Sequence, residues 1–440
     1  MHYSIFSFLF AWMFPTKDDR TEFRSFCRNI DLRQESLLIK DRQRRLVKKL
    51  QIESTKRKLK VVFLNSQNSK WAYQSLYEEF DKNPHFEVQV LITVGDKMMK
   101  KKNAFLNYKK LALDNYNFFS SKNMNVAYAF DFDKEQYIDL KNFKPDIIFY
   151  EQPWGLNKHH NIFSTSKYAL PFYCSYGSCI SNGTNEYSET LFGDVYTYFL
   201  DNDFAKKVLI AHKFEEENLC VAGQLKLDAY LKPVNKTKIL WKYSDKKRVI
   251  YAPHHSFADD SILRFGTFDK NYKFFYNYAK NHPEFEFILK PHPELKKVII
   301  KQNLMSLEEM NQYFKMWEDL PNAQIYDSGC YFDMFRTSDL LITDCNSFLY
   351  EYLPTNKPVI HLINDKSVGH NEYGQKLISG YYPAKNIEET NQLLEQLLVK
   401  GYDPLKDVRT NIIENVLKQP QCGVGKYIVQ YIEKICGIEG

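Results

Sequence analysis

The chain has 440 residues, 44% of them hydrophobic, with a formal net charge of +6 and eight cysteines. That apolar share excludes an intrinsically disordered chain, and the length calls for two or three domains. The cysteines form no CxxC pair and no zinc-like Cys/His spacing, which excludes a zinc module and points to reduced thiols in a cytosolic compartment.

The opening, Met1 to Phe14, is apolar but too short to span a bilayer. It lacks the basic n-region and small-residue cleavage site of a secretory signal. Between Lys40 and Lys60 lie Arg42, Arg44, Arg45, Lys48, Lys49, Lys56, Arg57 and Lys58, opposed only by Asp41 and Glu53. Residues 1–59 are therefore expected to form an apolar and basic helical arm. It either stands in solvent or sits, through residues 40–60, on an anionic membrane surface. The rest of the chain is near neutral and carries no recognisable nucleic-acid module, so nucleic acid is not an expected partner. No later run reaches membrane-span length, and the expected location is cytoplasmic, with peripheral attachment at the inner face of the membrane as the variant.

From Lys60 the apolar pattern alternates between short strand-like runs and helix-period segments. Strands are expected at 60–65, 86–93, 126–130, 146–150, 171–174, 195–200 and 219–222, and residues 95–122 read as an irregular insertion. A Lys-, Asn- and Ser-rich stretch, 233–247, then interrupts the pattern and reads as a linker. Strands resume at 248–252, 285–290, 323–326, 340–343 and 359–362. The economical fold is two successive α/β halves with mostly parallel sheets, 60–232 and 248–404, followed by a helical segment, 405–440.

The most informative stretch is Ser338 to Glu351. An apolar run, Leu340 to Ile342, stops at Thr343, Asp344, Asn346 and Ser347, and Phe348, Leu349 and Tyr352 resume at helical spacing. This predicts a buried strand, a polar turn and a helix start, where unpaired N–H groups and hydroxyls suit an anion. About fifty residues upstream another apolar run ends in Lys290-Pro291-His292-Pro293, and the preceding strand ends in His254-His255-Ser256. Strand ends of one α/β domain converge at the carboxyl edge of its sheet, so these loops can hold one phosphate-bearing ligand. Taken alone, Lys-Pro-His-Pro also reads as a rigid strand exit. Asp344 also reads as a brace for its own turn, and Cys345 as a small packing residue.

These pieces stand in the order of a known family. Gly223-Gln224-Leu225-Lys226-Leu227-Asp228, Tyr251-Ala252-Pro253, Lys290-Pro291-His292-Pro293, Ser338 to Glu351, Lys357-Pro358-Val359, Gly380-Tyr381-Tyr382 and Gly423-Val424-Gly425-Lys426 together resemble the CDP-glycerol:poly(glycerophosphate) glycerophosphotransferases of teichoic acid and capsule synthesis. The resemblance spans roughly residues 219 to 430. It implies a GT-B architecture of two Rossmann-like domains with the active site in the cleft between them and the nucleotide donor on the second. It also implies metal-independent transfer with no cofactor. A polyol phosphate would pass from a CDP-activated donor to a saccharide or lipid-linked acceptor. Three departures stand out: the family's usual Asp-Tyr-Ser-Ser is Asp344-Cys345-Asn346-Ser347 here, the strand-end motif that usually continues with Thr and an aromatic or Arg has His254-His255-Ser256, and the N-terminal His-Gly motif is not visible.

On this resemblance, His292 and Lys290 are the candidates for stabilising the leaving nucleotide phosphate. His254, His255, Ser256, Thr343, Asp344, Asn346 and Ser347 would complete the donor cradle. Glu351 would either accept ribose hydroxyls or complement the helix dipole. Glu151, His159 and His160, just past the strand 146–150, are the candidates for the acceptor-side base. The alternative functions are a GT-B glycosyltransferase acting on a UDP- or CMP-sugar, and a non-catalytic nucleotide-binding subunit of a polymer-assembly complex.

Overall fold

A computed structural model describes residues 13, 16–95, 104–152, 156–178, 180–183, 194–212, 214–234, 241–327 and 331–438. Apart from Met13, the apolar opening of the chain lies outside them. The chain divides into two units. The first comprises Met1–Tyr176, Tyr187–Leu225 and Pro420–Gly440, and the second Gly177–Glu186 and Lys226–Gln419.

The first unit is built on a seven-stranded parallel sheet. Its strands are β1 (Leu59–Asn65), β2 (Phe86–Ile92), β3 (Val126–Tyr128), β6 (Ile147–Tyr150), β7 (Leu170–Cys174), β8 (Thr197–Leu200) and β9 (Leu219–Val221), in the order β3-β2-β1-β6-β7-β8-β9. A small antiparallel pair, β4 (Phe130–Asp131) with β5 (Gln136–Tyr137), follows β3. Central strands such as β6 are buried along their whole length, as parallel strands covered on both faces must be. Residues 104–120 form a helix where an irregular insertion was expected, because Leu106 to Phe119 carry no Gly or Pro to break one.

The N-terminal helix, Lys17–Glu53, belongs to this unit. Leu46 and Leu50 enter its core, Arg42 donates to the Phe163 carbonyl at 3.0 Å, and Lys40 pairs with Glu215. Part of the basic arm is therefore spent inside the fold, while Arg44, Arg45, Lys48 and Lys49 stay exposed. Among the described residues no helix is long and apolar enough to cross a membrane.

The closing helix, Val424–Ile435, also belongs to the first unit. Val424, Ile428, Val429 and Ile432 complete its core. A Cβ at Gly425 would lie 2.9 Å from the Ser75 carbonyl carbon, so only glycine lets this helix come so near the segment around Ser75. The unit boundaries thus fall at Leu225/Lys226 and Gln419/Pro420, not at 233–247 and 405, because apolar contact and not chain order decides membership.

The second unit holds six parallel strands: β10 (Lys247–Ala252), β11 (Phe285–Leu289), β12 (Ala323–Ile325), β13 (Leu340–Thr343), β14 (Val359–Leu362) and β15 (Tyr382–Ala384). Their order is β12-β11-β10-β13-β14-β15. This is the doubly wound Rossmann order, whose direction reverses between β10 and β13. Its core runs from Val249 and Tyr251 through Trp317 to Leu398.

Candidate active site

The carboxyl ends of β11, β10 and β13 lie side by side at the reversal point of the second sheet. β10 separates the other two, which stand about 10 Å apart, two inter-strand spacings. The loops carrying Lys290-His292, His254-Ser256 and Thr343-Ser347 therefore open on one edge.

The histidines meet. The ring centroids of His254 and His255 are 4.3 Å apart, those of His255 and His292 4.2 Å, and those of His254 and His292 4.8 Å. Their surroundings set the tautomers. Ser256 Oγ accepts from the Phe265 and Gly266 N–H groups at 3.0 and 3.3 Å, so its own proton goes to His254 Nδ1, 2.7 Å away. His292 Nδ1 accepts the Glu294 N–H at 3.1 Å. Both imidazoles, when neutral, consequently carry their proton on Nε2. Burial holds His292 down to about 4. It also lowers His254, helped by the two neighbouring rings, so the cluster is uncharged at neutral pH.

Lys290 is buried, and burial lowers its pKa. Its ammonium lies 5.2, 5.3 and 5.9 Å from the ring centres of Tyr326, Tyr331 and Phe348. These rings supply cation–π attraction, but among the described residues no carboxylate pairs with it. Asp327 and Glu351 act on it only at longer range; burying a cation without a direct ion pair is costly, and an anionic ligand would relieve that cost.

Asp344 is fully buried, and its ordinary value is pushed up to about 7 by burial, against the bonds it accepts. One carboxylate oxygen takes the His254 N–H at 2.6 Å; the other takes the Thr267 N–H and hydroxyl at 2.6 and 2.8 Å. With both oxygens spent, it braces β13 to the loop after β10 and has none left for a donor. Thr343 is spent too: its hydroxyl donates to the Ala252 carbonyl at 2.7 Å and accepts the Cys345 N–H at 3.0 Å. Glu351 closes the six-residue helix Asn346–Glu351 and does not stand in its first turn. It is buried and paired with Lys226 at 3.1 Å and with the Tyr331 hydroxyl. The helix is too short for a strong dipole.

Asn346 is held by His370, whose Nε2 lies 3.0 Å from Oδ1. Ser347 is exposed, and its hydroxyl makes no hydrogen bond among the described residues. The groups left for a ligand at this edge are thus the half-buried histidine cluster and Ser347, with the buried Lys290 beside them, and Cys345 is a buried thiol pushed up to about 12 by burial.

The sequence offered no signal for Thr267, His370 or Gly266. A Cβ at Gly266 would sit 2.8 Å from the His254 carbonyl and 2.7 Å from the Phe257 N, so only glycine admits the fold of the histidine loop.

In the first unit, Glu151 follows β6 at the corresponding reversal point, between β1 and β6. It is 3% exposed, and Oε2 accepts the Ser66 and Gln67 N–H groups at 2.5 and 3.2 Å. Oε1 has no partner. Burial pushes its pKa up to about 7. His160 is fully buried. Its Nε2 donates to the Ile138 carbonyl at 2.9 Å and its Nδ1 lies 2.8 Å from the Thr93 hydroxyl, so both ring nitrogens are consumed and it is a structural residue. His159 is exposed, 5.8 Å from the Tyr137 ring, with no geometry that marks it as a base.

A family model described as CDP-Glycerol:Poly(glycerophosphate) glycerophosphotransferase matches residues 184–434, more than half of the chain. No curated protein matches. Among solved structures, the UDP-GlcNAc 2-epimerase from Neisseria meningitidis bound to UDP-GlcNAc is 15% identical, with a TM-score of 0.53 over 86% of this chain and 100% of that one. S. aureus MnaA with UDP is 12% identical, with a TM-score of 0.52 over 87% and 98%. A variant of the wall teichoic acid polymerase TagF soaked with CDPG is 15% identical, with a TM-score of 0.51 over 92% and 98%. These likenesses establish the fold, two Rossmann-like sheets of GT-B type. The family match goes further: the chain belongs to the CDP-glycerol:poly(glycerophosphate) glycerophosphotransferase family and is an enzyme of that class.

Proposed function

We propose that this enzyme transfers a polyol phosphate, glycerol phosphate or a close analogue, from a CDP-activated donor to a hydroxyl of a saccharide or lipid-linked acceptor in cell-surface polymer synthesis. One observation carries the proposal: a buried lysine without a carboxylate partner among the described residues lies beside neutral histidines whose Nε2–H groups are fixed as donors, on the edge where a Rossmann sheet binds nucleotides.

In the transfer, the acceptor oxygen attacks the polyol-bearing phosphorus. The bond from that phosphorus to the bridging oxygen breaks, and CMP departs with the electron pair. Lys290 and the Nε2–H groups of His254 and His292 stabilise the charge that gathers on the departing phosphate. Ser347 donates to a phosphate oxygen. The acceptor hydroxyl gives up its proton to a general base as it attacks.

No resident metal or cofactor is assigned a part. A metal on Nε2 of His254 or His292 would require a proton on Nδ1, and both Nδ1 atoms already face N–H or O–H donors. The exposed basic face, Arg44 to Lys49, is suited to an anionic membrane surface that presents a lipid-linked acceptor.

The test is CMP release from CDP-glycerol and CDP-ribitol with saccharide and lipid-linked acceptors, alongside thermal-shift ranking of CDP, CMP, UDP and GDP. Cytidine nucleotides should protect best and CMP should appear stoichiometrically with product. Protection by UDP alone, or no turnover with any acceptor, would refute the proposal.

A further inference from the structure

The hydrogen bond between His370 and Asn346 takes only one end of the Asn346 amide. His370 Nε2 meets Asn346 Oδ1 at 3.0 Å, whereas Asn346 Nδ2 makes no hydrogen bond among the described residues, and Asn346 is only half-buried. Burial lowers His370 to about 4, so its ring is neutral at neutral pH. With Oδ1 turned to that ring, the imidazole carries its proton on Nε2. Both amide N–H groups of Asn346 are then left for another acceptor, next in the chain to the exposed Ser347 hydroxyl.

His370 is itself held from several sides. The Phe265 and His361 rings lie 5.4 and 5.3 Å from it, centre to centre. Phe265 also gives its N–H to Ser256 Oγ, the atom that bonds His254 Nδ1, and His361 is the cross-strand partner of Thr343. His370 is thus tied to the histidine cluster and to the end of β13. Its backbone is clamped by residues 180–182 of the same unit. Ser181 pairs with His370 in an isolated bridge, the Asn182 N–H reaches the Gly369 carbonyl at 3.1 Å, and the Asn371 N–H reaches the Ile180 carbonyl at 3.0 Å. A Cβ at Gly374 would strike the Ile180 carbonyl oxygen, so glycine is required for this clamp. A ring fixed in this way fixes the rotamer of the side chain it bonds.

We propose that His370 is a positioning residue for the donor: by holding Asn346 Oδ1, it turns the amide N–H groups onto a phosphate oxygen of the CDP-activated substrate. The inference rests on the function proposed above. It also accounts for a departure from the family pattern. Where the family has a serine hydroxyl, this chain has an amide with one more rotatable bond, and the freedom of that bond must be removed before the amide can bind well.

Isothermal titration calorimetry of the full chain with CDP-glycerol, without acceptor, tests it. His370→Leu should weaken binding about five- to tenfold, the worth of one oriented hydrogen bond, and His370→Gln should recover most of that loss because its amide N–H can also reach Oδ1. In an Asn346→Ser background His370→Leu should change the affinity less than about twofold, since the group it holds is gone. Asn346→Asp keeps the acceptor for His370 but sets a charge against the phosphate, and should weaken binding at least about tenfold; it remains decisive if His370→Leu does not fold. The positioning role is overturned by unchanged binding in His370→Leu, by an equal loss in both backgrounds, or by Asn346→Asp binding as tightly as wild type. CDP-glycerol bound with the expected coupling but never turned over with any acceptor would refute the transferase alone, turnover without the coupling would refute the positioning role alone, and absence of binding by wild type would refute both.

Discussion

The two sheets follow the same plan and bear opposite chemistry. Each runs 3-2-1-4-5-6 in its own strand numbering, the first adding a seventh strand, and each places a polar group at the reversal point. In the first, that group is Glu151, a lone buried carboxylate. In the second, it is a lysine and three histidines gathered from two adjacent strand ends. Topology chooses the place, and loop residues choose the charge. The carboxylate is bonded to backbone N–H groups of its own unit, whereas neutral N–H groups and an ammonium suit an arriving phosphate.

The contrast can be broken from either side. The largest effect is expected from His292→Ala, which should lower turnover by about 10²–10⁴-fold through loss of a charge-stabilising donor while far-UV circular dichroism and thermal stability stay near wild type. Unchanged turnover would remove its assigned role.

Glu151→Gln should cost roughly 1–3 kcal/mol in denaturant melts, because Oε2 accepts the Ser66 and Gln67 N–H groups and an amide would bring an N–H into a buried place with no acceptor. Unchanged stability would exclude that bracing role.

Asp344→Asn sharpens the contrast, because its carboxylate is a brace. An amide presents one N–H side to donors it cannot accept, at an expected loss of about 2–3 kcal/mol in denaturant melts. The sign of its pH dependence follows from the raised pKa. A carboxyl that holds its proton more tightly when folded stabilises fully below the ordinary carboxylate range, and that stabilisation is lost as pH rises through about 7. The variant should therefore lose less stability than wild type between pH 5 and 8.

His160→Leu should cost roughly 1–2 kcal/mol by stranding the Ile138 carbonyl and the Thr93 hydroxyl, with turnover per folded molecule unchanged. Ser347→Ala, which removes one exposed hydroxyl, should change KM for the donor only a few-fold.

Much of this was readable from the chain because local pattern and fold agreed. Leu340 to Thr343 is an apolar run ended by polar turn residues, and it became the strand and turn expected of it. The convergence of Lys290, His254 and Ser347 on one edge followed from parallel topology alone. Roles that depend on direction were not readable. Thr343, Asp344 and Glu351 look like ligand groups in sequence, yet each is consumed by a partner 20 or more residues distant: Ala252, Thr267 and Lys226. His160 looks like a base until its ring is seen bonded at both nitrogens. Spacing says where a side chain emerges, not which neighbour reaches it first.

The closing helix bears on biosynthesis. Its four core residues, Val424, Ile428, Val429 and Ile432, pack with Leu76 and Phe80 near the start of the chain, while the whole of Lys226–Gln419 intervenes. A ribosome therefore releases most of the second unit before the earlier-made half receives its last wall. The nascent first half must wait, partly unsealed, for nearly two hundred residues, and chaperone demand during translation should concentrate there.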